Sequence, residues 1–254
     1  MEKDSLFYEQ LGFRAHQSLS EEVYDGWLLR FAEGYTKRAN SVSVVGESIL
    51  PVTDKIKYCE EKYREQGLPV VFKIAPPAAE LDGLLEERGY SFVDKTNVMT
   101  VDLTKQNVVW RESFRDSEGA EVVVSLENKI VEAWQYYYFT FNHVSMSGIS
   151  TAKKMQAKIE NPLLCTIVYK NKKAVACGLG VMEQGYIGLW DIVVKEEYRG
   201  QGLGKVLCGA LLGKAKELGI TRGYLSVVDA NVPAKRLYKS FGFEDMYSYW
   251  YRVK

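Results

Sequence analysis

The chain carries no excess of charge of either sign. Its 33 Lys and Arg are balanced by 33 Asp and Glu. A dedicated nucleic-acid binder would show a basic excess or stripe, so that class is excluded. Long apolar runs are missing too: none approaches the roughly 18 residues of a membrane span. The start, Met1-Glu2-Lys3-Asp4, is acidic, with no apolar stretch after it, so neither a signal peptide nor a transit peptide is expected. Cysteine is scarce. Cys59, Cys165, Cys177 and Cys208 form no Cys-x-x-Cys pair and read as buried reduced thiols of a cytoplasmic protein. Histidine is scarcer still. A His-rich zinc site or a Ser-His-Asp relay would have to use His16 or His143, and no metal is expected. What is present is ordinary globular material: 254 residues, 46% apolar and 26% charged, enough for one to two domains.

Strands and helices alternate legibly from about residue 20. Val23 to Phe31 reads as a strand leading into a turn at Gly34-Tyr35, and Ser41 to Val45 as a short strand. Thr53 to Gln66 carries Ile56, Cys59 and Tyr63 at helical spacing. Pro69 to Ile74 is a strand. Leu81, Leu84 and Leu85 mark a helix that Gly89 ends, and Tyr90 to Leu103 reads as an extended hairpin. Residues 104–118 hold many charges and few clustered apolar side chains, so the domain boundary is placed there. Beyond it come strand Ala120–Leu126, an aromatic helix Trp134–Phe141 and a polar helix Thr151–Ile159. Strands Cys165–Tyr169 and Ala174–Met182 flank a Lys-Asn-Lys-Lys turn. Strand Tyr186–Val194, helix Lys205–Leu218, strand Arg222–Val228, helix Val232–Ser240 and strand Tyr247–Val253 complete the chain.

The two halves repeat the same parts in the same order. A shift of 153 residues carries Gly89 onto Gly242, Leu84 onto Leu237 and Phe72–Ile74 onto Leu225–Val227; a shift of 152 carries Gly67 onto Gly219. A duplication explains this spacing, and two unrelated α/β segments are the alternative.

Chemistry concentrates between Leu189 and Phe243. Strand Leu189–Val194 is followed by Arg199-Gly200-Gln201-Gly202-Leu203-Gly204 and a helix. Glycines let backbone N–H groups converge, and a helix start adds unsatisfied N–H groups and a positive dipole end. Together they suit phosphate oxygens; a ligand-free turn is the plain alternative. A P-loop is ruled out, because Val206 follows Gly204-Lys205 and Arg199 holds the first glycine's place. A dinucleotide fingerprint ranks behind, because its last glycine is Lys205.

What remains, Arg-x-x-Gly-x-Gly, resembles the pyrophosphate loop of the GNAT superfamily of N-acetyltransferases. Downstream, Asn231-Val232-Pro233-Ala234 through Tyr238 to Gly242-Phe243 is similar to that family's Asn-x-x-Ala-x-x-x-Tyr-x-x-x-Gly-Phe signature. The close resemblance covers about residues 165 to 254. It implies an α+β fold of two GNAT-like domains, each a mostly antiparallel mixed sheet flanked by helices. Residues 1–103 are then a degenerate copy, 104–118 a linker and 119–254 the catalytic domain. In the first copy Ala78 and Leu85 stand where Asn231 and Tyr238 stand in the second, and Gly46 to Pro51 keeps one glycine of the loop.

The resemblance implies an N-acetyltransferase moving the acetyl group of acetyl-CoA to a primary amine of a small molecule or peptide, by direct attack in a ternary complex. Acetyl-CoA would lie along Ile192, Val193 and Val194. Its pyrophosphate would lie on Arg199, Gly200, Gln201, Gly202, Leu203, Gly204 and Lys205, with Asn231, Ala234 and Tyr238 beside it. The Val194 N–H would meet the oxyanion and the Tyr238 hydroxyl would protonate the leaving thiolate. An alkyl amine with pKa near 10 needs a base, and Asp191 and Glu183 are the candidates. The cluster Tyr35, Thr36, Lys37, Arg38, Asn40 is either part of a substrate pocket or a solvated hairpin. The aromatic run Trp134 to Phe141 is either an acceptor wall or core. A non-catalytic acyl-CoA sensor or interaction module is the alternative function. Neither acceptor nor oligomeric state is legible, and no nucleic-acid or membrane partner is expected.

Overall fold

The computed structural model describes residues 2–254. Its strands form one 12-stranded sheet in the order β1-β2-β3-β4-β12-β5-β11-β10-β9-β8-β7-β6. The first half contributes α1 (Glu2–Ala15), β1 (Ser20–Tyr24), β2 (Trp27–Phe31), β3 (Val42–Val44), α2 (Val52–Glu65), β4 (Val71–Ile74), α3 (Leu81–Glu87) and β5 (Ser91–Asp102). The rest contributes β6 (Ser113–Arg115), β7 (Glu121–Glu127), α4 (Glu132–Phe141), α5 (Met146–Gln156), β8 (Leu163–Lys170), β9 (Lys173–Glu183), β10 (Tyr186–Val194), α6 (Leu203–Glu217), β11 (Arg222–Val228), α7 (Val232–Lys239) and β12 (Glu244–Val253). Only β3–β4 and β10–β11 pair in parallel; the other pairs are antiparallel. This is the mixed α+β layout the resemblance implied.

The repeat is physical. The order α2-β4-α3-β5 recurs as α6-β11-α7-β12, and the 153-residue shift takes Ser91, first of β5, onto Glu244, first of β12. The halves, however, exchange their last strands. β5 pairs with β11 along Thr96–Asp102, and β12 pairs with β4 along Val71–Ile74. β5 and β12 lie side by side at the centre. The core therefore runs through both halves, and separating them near residue 112 would strip a partner strand from β11 and from β4.

Five elements differ from the sequence expectations. Tyr90 to Leu103 is one long strand, because both of its edges find partners in the centre of the sheet. Val23 to Phe31 is the hairpin β1–β2, turning at Asp25 and Gly26 with φ of 43° and 77°; Asp-Gly is a strong turn dipeptide. Residues 104–118 include β6, which pairs with β7. Helix α1 went unread, although Tyr8, Leu11 and Ala15 bury at helical spacing. Helix α5 begins at Met146, where the Ser145 hydroxyl accepts from the Gly148 N–H at 3.2 Å.

The two sheet faces differ. α6 and α7 pack on Ile187, Leu189, Ile192 and Val194, with Leu207, Leu211 and Phe243 in that core. α1 and α4 pack on Trp190 and Val193. The four cysteines are buried free thiols. Among the described residues no helix is long and apolar enough to cross a membrane.

Candidate active site

β10 leaves its neighbour partway along. Its parallel pairing with β11 ends at Leu189↔Leu225, and its register with β9 shifts between Trp190 and Val193. At this bulge Asp191 adopts φ of 53°, a left-handed conformation that Asp tolerates better than most residues. The edge of Ile192, Val193 and Val194 that faces β11 is thus outside the ladder. An extended chain of amides can add to such an edge as a further strand does.

At the end of this edge a short 3-10 helix, Glu196–Tyr198, leads into the glycine loop. Gly200 and Gly202 both have φ of 78°, and a Cβ at either would meet nothing within 4 Å. They are there for the backbone's handedness, and they leave the loop's outer face open. Gly202 caps α6, Leu203 is buried behind it, and a Cβ at Gly204 would lie 3.0 Å from Leu237. The N–H groups starting α6 have no turn before them to bond. Arg199 and Lys205 are exposed beside them; the Arg199 Nε donates to the Val194 carbonyl at 3.2 Å. Lys170 holds the Gln201 side chain at 3.0 Å. This open, cationic cradle fits a pyrophosphate. Trp110, Arg111 and Phe114 of the linker segment form one open pocket with Gly202, Lys205 and Val206; sequence reading missed these contributors, which carry no motif.

Asn231 caps α7, accepting from the Ala234 N–H at 3.2 Å. Tyr238 lies about two turns further along α7, in the core, its ring 6.0 Å from that of Phe243. Burial, and the nearby Cys208 thiol, hold its phenol well above the ordinary value.

In the first half the equivalent cradle is filled by the protein itself. The Asp25 carboxylate accepts from the Ile49 N–H at 3.0 Å and from the Leu50 N–H at 2.9 Å, and Lys55 pairs with it at 3.2 Å. The Ile49 amide and the partly opposing burial leave its carboxyl below the usual range. Ala78 and Leu85, the counterparts of Asn231 and Tyr238, are core residues there. Calorimetric titration should find one acetyl-CoA site per chain. Gly202→Glu should weaken it about 100-fold or more, since two charge-assisted amide bonds are obstructed. A second site, or unchanged affinity, refutes this.

On the opposite sheet face a cleft forms where the halves meet, lined by His16, Tyr35, Tyr138, Met155, Trp190 and Asp191. α5 is held against the first half by Lys154, which pairs with Glu33 at 2.8 Å, and just past its end Lys158 donates to the Ser18 and Leu19 carbonyls at 2.7 and 2.9 Å. Burial pushes the Asp191 carboxyl up to about 6, against the pull of the Tyr138 hydroxyl and of Arg38. His16 stacks on Trp190 with centroids 5.7 Å apart, its Nε2 3.2 Å from the Thr36 hydroxyl. Burial first, then Arg38, Arg30 and Lys73, drive it well below its usual value, so the imidazole is neutral.

The expected polar cluster divides. Asn40 is buried and accepts from the Ala32 and Gly34 N–H groups at 2.7 and 3.0 Å, so this is a built loop and not a solvated hairpin. Tyr35 reaches the cleft and Arg38 lies deeper, while Lys37 points outward to Asp94 at 2.8 Å. The aromatic run divides similarly: Trp134 is core, Tyr138 lines the cleft and Tyr136 is exposed. Glu183 ends β9 in an ion pair with Arg14 at 2.6 Å and does not line the cleft. His16 was missed as a site residue because nothing local ties it to β10, 170 residues on.

Residues 130–243 match the profile of the Acetyltransferase (GNAT) family. Over 97% of its length, and 97% of that protein's, the chain is 31% identical to YobR of Bacillus subtilis strain 168, an uncharacterized N-acetyltransferase. A spermine/spermidine N(1)-acetyltransferase of that organism is 40% identical over 63 residues, 24% of this chain and 41% of that protein. The solved GCN5-related N-acetyltransferase from Kribbella flavida has the same fold, with a TM-score of 0.72 at 13% identity over 98% of this chain and 95% of that one. So does a tandem GNAT protein from the clavulanic acid biosynthesis pathway, with a TM-score of 0.63 at 13% identity over 96% and 87%. The chain belongs to the GNAT family, and it is an acetyl-CoA-dependent acyltransferase.

Proposed function

We propose that the chain acetylates a small primary amine bound in the cleft between its halves. The observation that carries this reading is Asp191: a carboxylate without an ion pair among the described residues, raised to about 6, on the bulge where β10 leaves β11. A base of that pKa is ionised at neutral pH and still accepts a proton readily. Acetyl-CoA supplies the acetyl thioester. The β10 edge of Ile192, Val193 and Val194 and the loop Arg199–Lys205 bind it from the α6 face, with Asn231 and Ala234 at the head of α7. The Val194 N–H donates to the oxygen that gains charge. Asp191 takes the ammonium proton and Tyr238 gives a proton to the leaving sulfur. Arg38 and Lys73, near the cleft, also disfavour a charged ammonium.

The division into 1–103, 104–118 and 119–254 is proposed as one of function. The first unit closes the acceptor cleft and holds no coenzyme, and the third carries the chemistry. Measuring acetyl-CoA-dependent thiol release over a broad amine panel tests the reading. Release with at least one amine, growing with pH through about 6, is expected; release with none refutes it.

A further inference from the structure

A second chamber adjoins the cleft and shares Trp190 with it. It is lined by α1, by Arg38, by Lys73 of β4, and by Val98, Trp190, Tyr224, Ser226 and Tyr247 of the central strands. Its charges can be accounted for one by one. Lys73 is paired with Glu9, whose other oxygen accepts from the Tyr247 hydroxyl at 2.9 Å. Arg30, outside the lining, is paired with Glu21 at 3.0 Å and donates to the carbonyls of Phe13, His16 and Arg38. Arg38 is left over. Its guanidinium sits over the Trp190 ring at 5.4 Å and has no ion pair among the described residues. Its Nε and the Trp190 Nε1 are buried without a hydrogen-bond partner, and the Tyr249 hydroxyl is buried against the guanidinium. Trp190 and Tyr249 are 6% and 1% exposed. Two buried donors lining one chamber, one of them on an unpaired cation, are costly unless an acceptor arrives to use them.

We propose that the acceptor amine carries an anionic group, a carboxylate or a phosphate, that docks on Arg38 while the amine faces Asp191 across Trp190. The two unpaired charges of the adjoining chambers that share Trp190, one of each sign, match a molecule that bears an ammonium and an anion, as an amino acid does. A polyamine would bring further positive charge beside the unpaired Arg38. The inference rests on the acetyltransferase reading above and narrows its substrate class. Arg38 comes from the first half, so this also gives the degenerate copy a direct part in choosing the acceptor.

The test is acetyl transfer by the full chain to matched amines: α-amino acids, their carboxamides, aminoalkyl phosphates and spermidine. The amino acids or the aminoalkyl phosphates should exceed the neutral carboxamides by about tenfold or more in kcat/KM, and whichever is better identifies the anion. Arg38→Gln should raise KM for the anionic amines about 10- to 100-fold more than for the neutral amines, the range of a charge-assisted hydrogen bond, while the lost pull of Arg38 on Asp191 should change kcat alike for both classes. Arg38→Lys should recover part of the loss. If Arg38→Gln fails to fold, the acid-against-amide comparison in the parent and in Arg38→Lys decides. Preference for spermidine or neutral amines, with KM indifferent to Arg38, overturns this proposal and leaves the acetyltransferase reading standing. Transfer to no amine at all removes both.

Discussion

Asp191→Asn lowers kcat by about 10²- to 10⁴-fold, the range of a lost general base, and at the same time makes the protein more stable at neutral pH. The substitution suits the site because Asn, like Asp, accepts φ near 53°, so the β10 bulge survives. The stability gain follows from linkage. In the folded chain the carboxyl is raised from 3.8 to about 6, so the folded state binds the proton more tightly than the unfolded one. Stability from this group is therefore full at low pH and is lost as pH rises through about 6. Its cost above that pH is at most about 3 kcal/mol, at ~1.4 kcal/mol per tenfold change in acidity. The Asn variant escapes that cost, so its melting temperature exceeds the parent's at pH 8 and converges on it near pH 3. In the parent, kcat/KM should rise with pH along a limb near 6, and the variant should lack that limb. A variant that turns over at the parental rate with the same pH profile removes Asp191 as the base. Glu183, held by Arg14, would not replace it without breaking that pair.

The Tyr238→Phe variant separates a proton donor from a core residue. The ring packs against Phe243 in the α6 core, and Phe keeps that packing, so the melting temperature should stay within a few degrees. Burial holds the hydroxyl protonated over the whole working range, which is the state a donor needs. Its loss should lower kcat by about 10²-fold, the lower end for a general acid, because a thiol of pKa near 8.5 is already a fair leaving group. Acetyl-CoA affinity by titration should change only a few-fold, since the glycine loop is untouched. Parental turnover in a protein that melts like the parent would assign the proton to solvent.

Local signals carried a great deal here. The glycine loop, the Asn231 cap and the limits of β10 and β11 were legible because each is set by residues within one turn or one strand. Gly202 marks a positive φ, Asn231 accepts the first-turn N–H of Ala234, and alternation marks the strands. The duplication was legible because the 153-residue shift survives in the glycines and leucines that end and pack helices. The departure of the first copy from the loop pattern was legible from its single glycine; that Asp25 accepts from the amides of that loop was not, since the bond joins a hairpin turn to a loop 24 residues away.

Thus the sequence alone determined the family, the glycine loop and which half carries it, because those depend on backbone handedness and on spacing along one segment. Only the tertiary structure decided how the cleft between the halves is built. The exchange of β5 and β12 between halves, the long single strand in place of a hairpin, and the meeting of His16, Tyr35 and Arg38 with Trp190 and Asp191 depend on which surfaces bury against each other. The pKa of Asp191 follows from that burial and from no neighbour in sequence. Desolvation belongs to the assembled cleft, and the same aspartate on an open strand would titrate as an ordinary carboxyl.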